Sequence, residues 1–530
     1  MTKLLLVALV TACLAFATRG QAQARSSDPE LLSFDELVTL SETDQPKEPL
    51  KQKLNRLLNT PFISDQASGA SPRRPVVEGL GPILRAAFWN IERGFEFDLI
   101  QLALSDPAAF QKTAFQRGVI DANTLRTIDN QLQRLRDADV IILNETDLGM
   151  KRTDYRDVTQ DLARALRMNY VFAVEFVEVD RLGDLGIDPV QLEDPALAQR
   201  MQQDLKPDPE RYRGLHGSAI LSRYPIQNAR IYRLPVCHDW FQQEKAEISI
   251  LEKGKRLGAN KIFLERIERE VRQGGRIAII ADVKIRDLPT GSATIVAPHL
   301  ENKCKPDCRA KQMDALLDQI KEVENPVILA GDLNTSGADG TPMSIRREIL
   351  ERVKNYEFWT TQALKWATPA SLPLLALSPV NYFKNYLDPT AAHLPVIGAN
   401  REANLFRRVE KYRFTDNRAF DFRGETERNL RDNEGTLANS NQRAGKGFVP
   451  TFSMKRDFGG LVGRYKLDWF FVKAFTPRPR GAGMSYRFAP HFPVTMRELN
   501  NAVPDGVSDH APLTVDLPFS EPILPRRPAK

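Results

Sequence analysis

The sequence predicts an α/β fold in which a mixed β-sheet is covered by helices and interrupted by large loop insertions. Three observations lead there. From Leu84 onward short apolar runs alternate with stretches of helical spacing, the pattern of strands and helices taken in turn. Arg286 to Gly291 (RDLPTG) separates two strand-like runs and reads as a hairpin turn, so the sheet holds antiparallel as well as parallel pairs. The 530 residues, 42% hydrophobic and 27% charged, are enough to bury a sizeable core and exclude disorder, collagen-like and mucin-like classes.

Taken in order, the chain opens on a targeting segment. Lys3 supplies a positive start, Leu4 to Ala17 is nearly all apolar, and Ala22-Gln23-Ala24 is a small-x-small cleavage site. A secretory signal peptide over residues 1–24 is expected, with export to the periplasm or outside the cell. The apolar stretch is short for a span of about 20 residues, and no later one is longer, so no transmembrane span is expected. Cleavage removes Lys3 and Arg19 and no acid, so the net charge falls from +6 to +4, too thin an excess to argue for nucleic acid. Residues 25–80 read as a peripheral leader and linker: Leu31 to Leu58 has amphipathic spacing, and Ser64 to Pro75 is rich in Ser, Gly and Pro.

One long α/β region follows over 81–518, and 519–530 form a Pro/Arg tail. Strand-like runs are Ile83 to Trp89, Val140 to Leu143, Ala219 to Leu221, Ile277 to Val283, Ala293 to Ala297, Val327 to Ala330, Leu467 to Val472 and Leu513 to Val515. Helical spacing links Leu125, Ile128, Leu132 and Leu135, then Val158, Leu162 and Leu166, then Met313, Leu316, Leu317 and Ile320. Insertions are expected near 180–212, 237–275 and 336–464. Beyond the signal peptide three cysteines remain. Cys304 and Cys308 flank Pro306 and are candidates for a small disulfide, with Cys237 then a buried free thiol.

The chemistry sits where the apolar runs end. Ile83 to Trp89 runs into Asn90, Val140 to Leu143 into Asn144-Glu145, Ala293 to Ala297 through Pro298 into His299, and Val327 to Ala330 into Gly331-Asp332-Leu333-Asn334. Asp468 lies within Lys466 to Val472, and Ser508-Asp509-His510 precedes the last strand. Loops at one edge of an α/β sheet are where ligand-binding side chains gather. Glu145, Asp332 and Asp509 offer oxygen ligands, and Asn90 and Asn334 add amide oxygens, which suits Mg²⁺, with Mn²⁺ or Ca²⁺ as alternatives. Tetrahedral N/S spacing for zinc is missing. With His299 and His510 for acid–base work or charge stabilisation, the inventory fits hydrolysis of a phosphoester.

The motifs WNIE from Trp89, LNE from Leu143, HGSAILSRYPI from His216, APHLEN from Ala297, GDLN from Gly331, KLDWFFV from Lys466 and SDHAPL from Ser508 stand in the order of the endonuclease/exonuclease/phosphatase superfamily, which the chain resembles from Arg85 to Leu517. The resemblance implies a four-layer sandwich of two mixed sheets flanked by helices, and water attacking in line at phosphorus. It implies Glu145 as principal metal ligand, Asn90 supporting metal or phosphate, and Asp509 near the metal. Asp332 and Asn334 orient the water and a phosphate oxygen, Asp468 holds His510, His510 meets the phosphate or acts as base, and His299 serves the leaving group. His216 and Arg223 are candidates for substrate contact. The substrate stays open among nucleic acid, phospholipid and sugar phosphate, and no protein partner is expected. A sphingomyelinase-type lipid phosphodiesterase is one alternative, with Leu372 to Leu377, Tyr382, Phe383 and Tyr386 as its membrane-facing candidates. A non-catalytic secreted binding module on the same fold is another.

Overall fold

In the computed structural model, residues 28–65, 67–117, 122–179, 207–245, 271–336, 402–422, 437–444, 447–453, 464–475, 488–504 and 506–520 are described. The signal peptide, Leu372 to Tyr386, the end of the tail and most of the three insertions lie outside them.

In chain order the strands are β1 (Phe62–Ser64), β2 (Val76–Val77), β3 (Gly81–Arg93), β4 (Val140–Leu148), β5 (Asn169–Glu178), β6 (Leu215–Ser222), β7 (Ile226–Arg233), β8 (Arg272–Gly274), β9 (Ile277–Lys284), β10 (Ser292–Pro298), β11 (Val327–Asp332), β12 (Arg443–Ala444), β13 (Gly447–Phe448), β14 (Phe452–Ser453), β15 (Arg464–Tyr465), β16 (Asp468–Lys473), β17 (His491–Thr495) and β18 (Leu513–Pro518). Among the described residues they form a nine-stranded sheet, ordered β1-β5-β6-β4-β3-β18-β17 with β2 on β3 and β8 on β5, and a five-stranded sheet, ordered β16-β11-β10-β9-β7. Each sheet has one parallel pair near its centre, β3 with β4 and β10 with β11. The hairpin at 286–291 joins antiparallel β9 and β10, as its turn residues require.

Alternation along these strands sorts the layers. Leu84, Ala86, Phe88, Ile142, Ala173 and Ile220 of the large sheet pack against Ile279, Ala281, Ile295, Ala297, Ile328, Ala330, Phe470 and Val472 of the small one. The other face of the large sheet, with Trp89, Ile141, Leu143, Phe172 and Leu221, is covered by helices Phe97–Ser105, Ala122–Arg136 and Val158–Leu166. The outer face of the small sheet, with Ile280, Val296, Leu329, Trp469 and Phe471, is covered by helices Pro306–Gln319 and Ala403–Lys411. This is the sandwich of two mixed sheets between helical layers that the sequence predicts. Each Leu, Ile or Phe buried in these layers contributes about 1.5–3 kcal/mol.

Two expectations change. Residues 28–64 are not peripheral. Leu37, Leu40, Leu54 and Leu57 of helices Phe34–Glu42 and Leu50–Asn59 belong to the large-sheet core, and β1 pairs with β5 at its edge. The disulfide joins Cys237 to Cys308, 71 positions apart, and leaves Cys304 as a buried free thiol. Helix Pro306–Gln319 starts at its proline and sets Cys308 in the first turn, while the Cys304 thiol turns back to the Glu301 carbonyl at 3.5 Å. Burial pushes the Cys304 thiol up to about 11. Among the described residues no helix is long and apolar enough to cross a membrane.

Candidate active site

The two parallel pairs end at one edge of the sandwich, and their registers bring the motif residues together. Asn90 lies opposite Asn144, and His299 continues β10 into a parallel bridge with Asp332. A hydrogen bond ties the two sheets there: the Asp332 backbone N–H donates to Asn144 Oδ1 at 2.9 Å. Gly331 lets β11 approach β10 closely at this point, because a Cβ there would lie 1.9 Å from the Pro298 carbonyl oxygen. Ladder pairing shifts between Asn90 and Arg93 and between Leu143 and Thr146. Glu92, Arg93 and Glu145, and Asn334 on the other sheet, all take positive φ values of 46°, 66°, 56° and 47°. Such backbone is strained for residues with a side chain and concentrates at functional sites.

Asn90 organises the acids. Its Oδ1 accepts the Glu92 N–H at 3.1 Å, which turns Nδ2 toward Glu145 Oε1 at 3.1 Å and Asp332 Oδ2 at 3.2 Å. The resemblance placed Asn90 in support of the metal or the phosphate; in the structure its amide bridges the Glu92 backbone and the two acids. One oxygen each of Glu145 and Asp332 and one nitrogen of His299 lie within 4.8 Å of one another, as do ligand atoms of Asp332, Asp468 and His510. A donor set led by carboxylate oxygens fits a hard divalent cation, which Glu145 could hold. The two acids are pushed apart electrostatically. Burial alone would raise Glu145, but His299, His216 and Arg93 outweigh it and hold the carboxyl at about 2. Burial and the Asp468 charge raise Asp332, against the pull of His510 and His299.

Two carboxylate–imidazole pairs flank Asp332. In the first, His510 Nδ1 lies 2.8 Å from Asp468 Oδ2 and its Nε2 lies 3.8 Å from Asp332 Oδ2. Burial opposes a charge on this ring, but Asp468 and Asp509 overcome it and hold the imidazole well above its ordinary value. The loop before β18 is pinned: Ser508 Oγ donates to the Asn90 carbonyl at 2.8 Å, and Trp89 Nε1 donates to the His510 carbonyl at 2.8 Å. In the second pair, His299 Nδ1 lies 3.1 Å from Glu175 Oε2 and its Nε2 lies 3.8 Å from Asp332 Oδ2. Arg276 joins it, with Nη1 at 3.0 Å from Glu175 and 2.9 Å from the imidazole. Burial would raise Glu175, but His299 and Arg276 hold it well below the carboxylate range. Ser218 Oγ donates to Glu175 and accepts from Asn144 Nδ2, which links this pair to the cross-bond between the sheets.

Asn334 completes the turn, giving its N–H to Asp332 Oδ1 at 2.8 Å and its amide nitrogen to the Leu300 carbonyl at 3.0 Å. Asp509 lies beside His510, 4.0 Å from Nε2, rather than in the Glu145 cluster. His216 is fully buried and bound to Asp147 at 2.9 Å, and Asp147 is itself gripped by Arg152, so His216 braces the site from behind. Arg223 is corrected as a substrate residue. It follows β6 at the end remote from Glu145, where it donates to the carbonyls of Ala138 and Leu166. Sequence reasoning missed Glu175, Arg276 and the structural weight of Asn144. For Glu175 the signal was a lone acid inside the apolar run Val171 to Val177.

A family model described as Endonuclease/Exonuclease/phosphatase family matches residues 87–510. Among solved structures the chain is similar to an endonuclease/exonuclease/phosphatase from Beutenbergia cavernae, at 15% identity over 82% of this chain and 71% of that one, with a TM-score of 0.35. It is also similar to the human Nocturnin catalytic domain with bound sulfate anion, at 10% identity over 87% and 98% of the two chains and a TM-score of 0.34. A third similarity is to a Bacteroides thetaiotaomicron mannosyl-6-phosphatase, at 12% identity over 82% and 99% and a TM-score of 0.33. No curated protein matches the chain significantly.

Proposed function

The chain belongs to the Endonuclease/Exonuclease/phosphatase family, and from that premise we propose that it is an exported, divalent-metal-dependent hydrolase of phosphoester bonds. The observation that carries the reading is the convergence of two carboxylate-oriented imidazoles on Asp332, each with Nε2 at 3.8 Å, beside Glu145. A group seated between the imidazoles would have a proton donor or acceptor on either side, which is what displacement at phosphorus asks for.

The chain's own residues divide the work. Glu145 would hold a divalent cation, whose charge would neutralise that of the phosphate. His510, kept protonated by Asp468, donates to a phosphate oxygen. Asp332, whose carboxyl is raised by burial and by the Asp468 charge, takes a proton from the attacking water. His299, oriented by Glu175, gives a proton to the leaving oxygen. Arg276 offers a guanidinium to the charge that develops beside His299.

The test is hydrolysis of bis(p-nitrophenyl) phosphate by the full chain with Mg²⁺. Activity should vanish with EDTA and fall steeply in His510→Ala. Turnover that survives both would end the proposal. A panel of DNA, RNA, phospholipid and sugar phosphate, assayed alongside, assigns the substrate.

A further inference from the structure

Lys466 stands outside the machinery described so far. It is 5% exposed, and its Nζ is out of solvent with no hydrogen-bond partner among the described residues. The face of Trp469 lies 5.0 Å away, and Asp468 is the charge whose field reaches it. Asp468 Oδ1 is likewise buried without a partner among the described residues, its other oxygen being on His510. Lys473, at the far end of the same strand, shows how this fold treats a structural lysine: its Nζ is bound to Asp416 at 2.7 Å and to the Val323 carbonyl.

The place of Lys466 is the active edge. The register pairs Asp332 with Asp468, and one step outward the Leu333 N–H donates to the Leu467 carbonyl at 3.0 Å, which leaves Lys466 one residue beyond that bond. The preceding Tyr465 packs on Phe452 at 6.3 Å, and Phe452 packs on the His510 ring at 5.0 Å. A buried ammonium is costly without an anion, and an aromatic face offsets only part of that cost. Burial pushes this amine down to about 7, with Asp468 pulling it back up.

We propose that Lys466 is a phosphate-binding residue, its Nζ donating to a non-bridging oxygen of a phosphoryl group seated between Asp332 and His510. The proposal rests on reading this edge as a phosphoester site. The substrate then supplies the counter-charge that the protein withholds, and the free energy of burying the amine is recovered only when an anionic phosphate arrives.

Inorganic phosphate is the probe, with the full chain and Mg²⁺. Phosphate should raise the melting temperature of the wild type and inhibit ester hydrolysis competitively. In Lys466→Met the inhibition constant should rise about tenfold or more, the loss expected for one hydrogen bond between charged groups, and the thermal shift should shrink accordingly. Lys466→Arg should keep the constant within about threefold. A Lys466→Met protein that binds phosphate as tightly as wild type overturns the proposal. Should that variant fail to fold, phosphate must slow reductive methylation of Lys466 in the wild type, read by peptide mass, and equal labelling with and without phosphate overturns it. Phosphate binding is read without turnover, so failure of Lys466 to bind is separable from failure of the chain to hydrolyse esters.

Discussion

Asp468→Asn is the most informative single change to the proposed mechanism. The carboxylate is fully buried and its Oδ2 lies 2.8 Å from His510 Nδ1. Asparagine keeps the volume and removes the charge. A hydrogen bond between charged groups contributes about 1.5–3 kcal/mol, so the ratio of imidazolium to imidazole at a given pH should fall about 10- to 150-fold. The sign follows from the direction of the shift. In the wild type His510 is held well above its ordinary 6.5, mainly by Asp468 against the opposing effect of burial, so the charged ring persists past neutral pH. The stability it contributes is full below the unfolded value and is lost as pH rises through the folded one. In the variant the charged ring is lost at lower pH, and the alkaline limb of kcat/KM should move down by about one to two pH units. The assay is kcat/KM for bis(p-nitrophenyl) phosphate with Mg²⁺ from pH 5 to 10. Wild type and variant should approach each other at pH 5.5 and diverge toward pH 9. A loss that is the same at both ends would refute the argument that Asp468 acts through the charge of His510.

Three further outcomes are expected. Saturating Mg²⁺, near 100 times its dissociation constant, stabilises a protein by about 2.7 kcal/mol, so the wild type should melt a few degrees higher with Mg²⁺; Glu145→Gln should lose that rise in a thermal-shift measurement. Glu175→Gln should keep the rise but lower kcat about 10- to 100-fold, because the charge that orients His299 and pairs with Arg276 is lost; an unchanged kcat would count against the second imidazole pair. Cys308→Ala should cost about 2–4 kcal/mol in urea unfolding, the usual contribution of a disulfide closing a long loop, whereas Cys304→Ala should leave the Cys237–Cys308 peptide intact in non-reducing mapping.

What could be read from the sequence was what chain-local patterns encode. The strands leading to Asn90, Glu145, His299 and Asp332 announce themselves as apolar runs that stop at a polar residue, Asp468 opens a further such run, and all five strands are largely buried. What stayed hidden depends on partners far away in sequence. Glu175 sits in the middle of β5, and its meaning comes from His299, 124 positions on. Arg276 opens β9 like many strand-end arginines, and only the fold sets it against an imidazole. Asn144 reads as a turn residue, yet it accepts a bond from the opposite sheet. The leader misled because Leu31 to Leu58 is short and polar between its leucines, and those leucines find a core only when β5 and β8 supply it. Cysteine pairing failed for the same reason: Cys304 and Cys308 are neighbours in the chain, but the direction of a helix start decides which thiol meets Cys237.

The strand β18 carries a consequence for how the molecule comes to life. It lies beside β3, and the Arg85–Asp516 ion pair that fastens them spans 431 positions. Trp89 and the Asn90 carbonyl wait for His510 and Ser508 from that same late segment. Closing so long a loop is entropically slow. A chain in which most helices and strands have formed but β18 has not docked would look folded to circular dichroism, would hold its acids close together, and would be inert. Loss of turnover is therefore expected to precede loss of secondary structure along a melting curve.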